Sequence, residues 1–375
     1  MGDEIQQAQA VKATRRQNIL LSLFSVVFAL LLMEIGIRIF DVMNGRGFFS
    51  SHRNLVDAQV RSSIPFRNFG FQLYVKQDGQ RMISSRHGEL FPIKRPEGAL
   101  RIVVFGGSTT ENGYAMREAG IHYPLVLQRE LSTALPGRNI EVINVANSAY
   151  ATNHSLILLM FDVLSWDPDV VIMSHNVNDL IAAYWDDFAF DLSHKYSHSF
   201  YNAPGAEDRY TLSNILFQHS QLYWFIRERL RRPDAARPLR RKPMGREPPA
   251  VAAAVFRRNL RSFVTLAQRN DIRVVLGSQA LLDTEEAFLR HMAVKPYNDV
   301  ITYPLHDEFV AHHRRYNAIM KEVAEEEGAA FVDNSRLDNR QAYFIDFVHY
   351  TPQGVEALAA SYARSLLDAG FFKDL

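Results

Sequence analysis

Residues 100 to 368 alternate short apolar runs with stretches of helical periodicity, an order that few architectures accept. The runs fall at 100–105, 140–145, 170–174, 272–277 and 329–332, and helical spacing marks 123–134, 155–165, 250–269, 309–327 and 354–368. Such runs separated by helices give a parallel sheet covered on both faces. The expected fold is therefore α/β: a doubly wound, flavodoxin-like three-layer sandwich around a parallel five-stranded sheet. Gly328 closes the helix at 309–327, where a left-handed cap is expected.

Ahead of this domain, residues 19–33 carry only Ser22 and Ser25 as polar interruptions, and the segment extends to Phe40. A helix over 19–40 reaches about 33 Å, enough for a hydrocarbon core of roughly 30 Å. The stretch is long for a signal-peptide core of about 7–15 residues, and no small-residue cleavage site follows, so it reads as one uncleaved transmembrane helix. Glu34 and Arg38, near its far end, share one helix face and are expected to pair; contact with a partner protein's transmembrane helix is the sharper alternative. Lys12, Arg15 and Arg16 before the span outweigh Arg46 and Arg53 after it only slightly. A cytoplasmic N-terminus, and with it an extracytoplasmic (periplasmic) domain on the inner membrane, follows from that small bias. The chain then divides into a cytoplasmic tail (1–17), the anchor (18–41), a juxtamembrane connector (42–97) and the α/β domain (98–375).

An insertion at about 182–249 breaks the alternation and is too long for an ordinary connection. Asp191, His194 and His198 in its aromatic first part are candidates to line a substrate lid, and a helix is expected over 212–230. Residues 227–249 hold nine Lys/Arg and five Pro and read as a flexible basic loop, either solvated or drawn to anionic headgroups or glycan. With 42 Lys+Arg against 41 Asp+Glu there is no global field to hold a polyanion, and the basic stretch has no interleaved aromatics. Nucleic acid is not an expected partner. The absence of cysteine excludes disulfides, thiol catalysis and Cys-ligated zinc. His312 and His313 precede Arg314 and Arg315 and read as a solvated helix face rather than metal ligands. No cofactor or metal is expected.

The chemistry begins at Val104-Phe105-Gly106-Gly107-Ser108-Thr109-Thr110, where an apolar strand runs into glycines and then hydroxyls. Such an elbow presents Ser108 beside backbone N–H groups able to bind developing negative charge. Alone, it equally fits a helix N-cap or a phosphate-binding loop. A serine nucleophile needs a base and an orienting carboxylate, and D-x-x-H occurs twice, at Asp191/His194 and Asp346/His349. Only the second follows the last strand and precedes a helix start, Thr351-Pro352, which puts His349 on a strand-end loop. In a doubly wound sheet such loops gather around one crevice with the loop after the first strand.

These residues resemble the SGNH, or GDSL-type, esterases and lipases over 101–369. Gly106-Gly107-Ser108-Thr109-Thr110 is similar to the family's first block, with Ser108 at the nucleophile and Gly107 in place of the Asp of a GDS core. Asn144-Val145-Ala146-Asn147-Ser148-Ala149 resembles the second, its oxyanion glycine falling on Ala149. Asn176-Val177-Asn178-Asp179 resembles the G-x-N-D block, with Asn178 at the oxyanion asparagine and Asn176 replacing the glycine. Asp346, His349, Thr351 and Gly354 reproduce D-x-x-H-x-T-x-x-G. The resemblance implies that Ser108 attacks an acyl carbonyl, His349 relays its proton and Asp346 orients the imidazole. It implies an oxyanion hole of the Ser108 and Ala149 N–H groups with the Asn178 amide. Its substrate would be an acyl ester; with the anchor, this points to O-acyl groups, acetyl among them, linked to glycan in cell-envelope polysaccharide. Acyl transfer to another sugar would use the same serine. A catalytically silent scaffold, bound to envelope polysaccharide assembly proteins, is the alternative of a different class.

Overall fold

The computed structural model describes residues 2–44, 48, 70–196, 212, 216, 220–230, 239–293 and 301–373. In chain order, helix α1 (Gly2–Met43) precedes three short strands, β1 (Tyr74–Gln77), β2 (Gln80–Ser84) and β3 (Leu90–Pro92). Then come β4 (Ala99–Gly106), α2 (Ser108–Glu111), α3 (Tyr123–Ala134), β5 (Asn139–Asn144), α4 (Thr152–Phe161), β6 (Val170–Ser174) and α5 (Val177–Ala182). Further along are α6 (Gln221–Leu230), α7 (Ala250–Gln268), β7 (Arg273–Gly277), α8 (Glu285–Ala293), α9 (His306–Glu327), β8 (Ala330–Val332) and α10 (Pro352–Asp368), with shorter helical turns between some of these elements. By internal contacts the chain forms two units, 1–58 with 204–235, and 59–203 with 236–375.

The second unit holds a five-stranded sheet of order β5-β4-β6-β7-β8, parallel throughout. Taken by themselves these strands run 2-1-3-4-5, the flavodoxin-like order, so the expected fold class is the observed one. Central β4 is buried at every position, and the pleat divides its side chains between two cores. Ile102 and Val104 pack with Leu127 and Leu131 of α3 and Leu358 and Tyr362 of α10. Val103 and Phe105 pack with Leu158 of α4, Phe256 and Phe263 of α7 and Tyr316 of α9. Each large apolar side chain so buried stabilises the fold by roughly 1.5–3 kcal/mol. The helix expected over 155–165 runs instead from Thr152 to Phe161, because the chain tightens into a 3-10 turn at Val163–Trp166.

The connector expected over 42–97 contains structure of its own. From residue 70 it forms the antiparallel sheet β1-β2-β3, and Phe71, Leu73 and Ile83 are buried in the same core as Val103 and Phe105. These strands are too short and too exposed to show a clear period of two. His312 and His313 correct the sequence reading too: both are fully buried. They share the inward face of α9 with Phe309 and Tyr316, and Arg314 takes the exposed side. His312 Nδ1 lies 2.8 Å from the Tyr184 hydroxyl, and its Nε2 lies 2.9 Å from the Gly245 carbonyl. Nor is the described end of the basic stretch a free loop. The Met244 and Gly245 N–H groups donate to Glu308 at 2.9 and 2.8 Å, and Arg241 bridges Tyr303. Residues 231–238 lie outside the described residues.

In the first unit, Arg15–Met43 is long and apolar enough to cross a membrane, and its apolar side chains are exposed. Glu34 and Arg38 pair at 2.7 Å, as their spacing predicts. Glu34 has further partners that the sequence did not indicate: it accepts from Ser220 Oγ at 2.9 Å and from the Gln221 and Leu222 N–H groups at 3.0 and 2.8 Å, at the start of α6.

Candidate active site

β4 ends at Gly106, and α2 starts at Ser108 with Gly107 as its cap residue. Space, not backbone angle, demands glycine at 107, since a Cβ there would lie 2.5 Å from Asn178 Nδ2 and 3.1 Å from the Tyr150 carbonyl. The Asp of a GDS core would collide with Asn178 as it is placed here.

The base arrives on the loop after β8. Phe344 and Tyr350 form an antiparallel bridge, and Ile345 N–H donates to the His349 carbonyl at 2.9 Å. Inside that loop Asp346 Oδ1 accepts from the N–H groups of Val348 at 3.0 Å and His349 at 2.9 Å. The turn leaves Oδ2 facing His349 Nδ1 at 2.7 Å, which is why these two residues stand three apart. His349 Nε2 lies 2.7 Å from Ser108 Oγ. Thr351 Oγ1 accepts from the Gly354 N–H at 3.1 Å and caps α10, after which Pro352 opens the helix.

The opposite side of the crevice is assembled from more distant parts. Ala149 has φ +67°, the left-handed region where an L-residue costs roughly 1–2 kcal/mol, at the position where the resemblance puts glycine. Asn178, in the first turn of α5, is buried, and its amide donates to the Tyr150 carbonyl at 2.9 Å. Asn176 Nδ2 donates to the His313 carbonyl and Asn317 Oδ1, both at 2.8 Å, and so ties this turn to α9. Gln279, just past β7, links the blocks: its Nε2 donates to Thr109 Oγ1 at 2.8 Å and its Oε1 accepts from Val177 N–H at 3.2 Å. Glu111 accepts from the Ser148 hydroxyl at 2.5 Å and pairs with Arg86 at 2.7 Å, with both charged side chains buried.

Residues 104–357 match the GDSL-like lipase/acylhydrolase family, more than half of the chain. The chain belongs to that family. It is thus a serine hydrolase that acts on ester bonds. No curated protein matches it. Among solved structures, this GDSL hydrolase is similar to Axe2, an acetylxylan esterase from Geobacillus stearothermophilus, at 16% identity over 72% of this chain and 96% of that one, with a TM-score of 0.42. A GDSL-like lipase from Bacteroides thetaiotaomicron is similar at 15% identity over 72% of this chain and 88% of that one, with a TM-score of 0.40.

Two acidic residues of the GDSL hydrolase are tuned in opposite directions. Burial pushes the Asp346 carboxyl up, but the charge of His349 and the hydrogen bond and charge of His291 outweigh it and hold it well below the usual carboxylate range. Burial also acts on Asp179, and there it wins: the carboxyl is pushed up to about 6 despite hydrogen bonds from Thr152 and the charge of Lys195. Lys195, itself fully buried, donates to the Asn178 carbonyl at 2.7 Å.

His291, Gln279, Glu111, Arg86 and Lys195 were not among the sequence candidates. His291 sits on α8, buried, with Nδ1 3.4 Å from Asp346 Oδ2 and its ring 5.2 Å from that of His349. Nothing in its local sequence sets it apart from an ordinary amphipathic helix. His291, Asp346 and His349 bring ligand atoms within 4.8 Å of one another and could hold a metal ion. Asp191 accepts from Ser193 N–H at 3.0 Å, while His194 accepts from Ala189 N–H at 3.0 Å and lies 2.9 Å from the Ala182 carbonyl through Nε2. The His194 contact fastens the start of the insertion to α5. His198 lies outside the described residues.

Proposed function

We propose that this GDSL hydrolase is a membrane-anchored esterase that removes O-acyl groups, acetyl among them, from cell-envelope polysaccharide by way of an acyl-enzyme on Ser108. The observation that carries the mechanism is the unbroken chain from Ser108 Oγ to His349 Nε2 and from His349 Nδ1 to Asp346 Oδ2, 2.7 Å at each link. Ser108 Oγ attacks the ester carbonyl while His349 Nε2 takes its proton. The N–H groups of Ser108 and Ala149 and the Asn178 amide hold the oxyanion, in place of water that would have to reorganise. His349 then protonates the departing sugar oxygen, which leaves as the free hydroxyl, and water, deprotonated by the same nitrogen, releases the acid. Asp346 stays ionised and stabilises the imidazolium.

The envelope glycan reading is supported by the apolar span at Arg15–Met43 and by the ester chemistry of the family. The complete proton path weighs against a silent scaffold; acyl transfer to a sugar would differ only in the acceptor. Ser108→Ala should lower turnover of small aryl acetates by about 10⁴-fold or more and abolish labelling by a fluorophosphonate. Retained turnover would sink the acyl-enzyme. Mass spectrometry of envelope glycans should find more O-acyl ester in cells carrying Ser108→Ala than in wild type. Less ester would mark a transferase, and no difference would remove the glycan from the proposal.

A further inference from the structure

Glu34 stands where a carboxylate is hard to keep. The uncharged run before it, 19–33, supplies about 22 Å of helix, short of a hydrocarbon core of roughly 30 Å. A span that begins after Arg15 and Arg16 therefore carries Glu34 into the apolar layer or to its edge. A charge at that depth is costly unless it is partnered. Glu34 has four donors: Arg38 Nε at 2.7 Å, Ser220 Oγ at 2.9 Å, Gln221 N–H at 3.0 Å and Leu222 N–H at 2.8 Å. Three of them belong to the start of α6, where first-turn N–H groups lack intrahelical acceptors and the helix dipole favours negative charge. Wherever α1 places Glu34, the beginning of α6 lies at the same depth.

The sequence of α6 suits that depth. Leu222-Tyr223-Trp224-Phe225-Ile226 is followed by Arg227-Glu228-Arg229, the aromatic and basic composition of a bilayer surface layer. Leu222 is buried, Tyr223 and Phe225 are half-buried, and Ile226 is 40% exposed, continuous in kind with the exposed apolar surface of α1. The basic stretch that follows α6 in the chain would add attraction to anionic headgroups.

We propose that α6 is a second membrane contact, an interfacial helix seated at the boundary of headgroups and acyl chains and fixed there by Glu34. This part of the insertion would thus tie back to the bilayer. The proposal rests on reading α1 as a membrane span.

Of the three tryptophans, Trp166 and Trp185 are 0% and 7% exposed within the second unit, and Trp224 lies on α6. Full-length protein is reconstituted in phosphatidylcholine vesicles whose acyl chains are brominated near their headgroup end, and its emission is compared with that in unbrominated vesicles. The expected result is loss of the Trp224 share of the emission, with no loss in Trp224→Phe. Glu34→Ala should weaken the quenching while the protein still resists carbonate extraction; unchanged quenching would remove Glu34 as the fixing group. A carbonate-resistant wild type that is not quenched, or a Trp224→Phe variant quenched equally, overturns the second contact and leaves the anchor standing. Release of the protein by carbonate overturns the anchor reading, and the proposal with it.

Discussion

His349 and Asp346 reach the crevice on the loop 344–350, which closes on itself through the Phe344–Tyr350 bridge and two backbone donors on Asp346 Oδ1. Ala149 and Asn178 are held from far away: by Glu111 and Arg86 through Ser148, by Gln279 through Val177, and by Lys195 through the Asn178 carbonyl. One side of the active site is thus a local loop whose geometry follows from its own spacing. The other is a composite whose geometry depends on buried charges contributed by β-hairpin, helix and insertion.

If the composite side holds the oxyanion, its largest test is Asn178→Ala. Losing one preorganised donor should lower kcat by about 100- to 1000-fold with little change in KM, measured on a small aryl ester. A variant that keeps wild-type kcat would leave the stabilisation to backbone N–H groups alone. Glu111→Gln comes next, because it leaves the buried Arg86 guanidinium without its counter-charge. Breaking such a pair costs about 3–5 kcal/mol. Thermal denaturation should show that loss, and Arg86→Met with Glu111→Gln should recover most of it, since the two charges then leave together. A single variant as stable as wild type would mean that the pair braces nothing.

Acid separates the two sides by sign. Asp346 has a lowered native pKa, so its contribution is present above the unfolded value near 3.9 and is lost only as pH falls through the depressed native one. Asp179 is raised to about 6, so its contribution is full below the unfolded value and lost as pH rises through about 6. Asp179→Asn removes that second slope. Compared with wild type, the variant should gain on the order of 2 kcal/mol between about pH 4 and about pH 8 in chemical denaturation. Parallel curves would show that Asp179 ionises without cost beside Lys195.

The same contrast explains what could be read from the sequence. Asp346, His349, Thr351 and Gly354 each make a contact within a few residues of themselves, whether turn acceptor, ring partner or cap, and local contacts leave fixed spacings. The five core strands were legible for a similar reason, because burial on both faces writes continuous apolar runs. Lys195, Glu111 and Arg86 act on residues far along the chain, and a lone buried charge carries no periodic signature. His312 and His313 looked solvated because the arginines after them are polar neighbours in sequence but point to the opposite side of α9. Gly107 stands in place of the Asp of a GDS core, and only the position of Asn178 gives the reason for it.

The smallest effect separates backbone strain from side-chain packing at Ala149. Its φ of +67° should cost roughly 1–2 kcal/mol, which glycine would relieve. Against this stand about 0.5–1 kcal/mol of extra chain entropy in unfolded glycine and part of the roughly 0.8 kcal/mol due to a methyl group packed against the core. Ala149→Gly should therefore be stabilising by about 0.5 kcal/mol, with kcat unchanged because the backbone N–H proposed for the oxyanion is kept. A drop in kcat without loss of stability would show instead that the methyl group holds the turn in register, and that the composite side needs even this alanine as a brace.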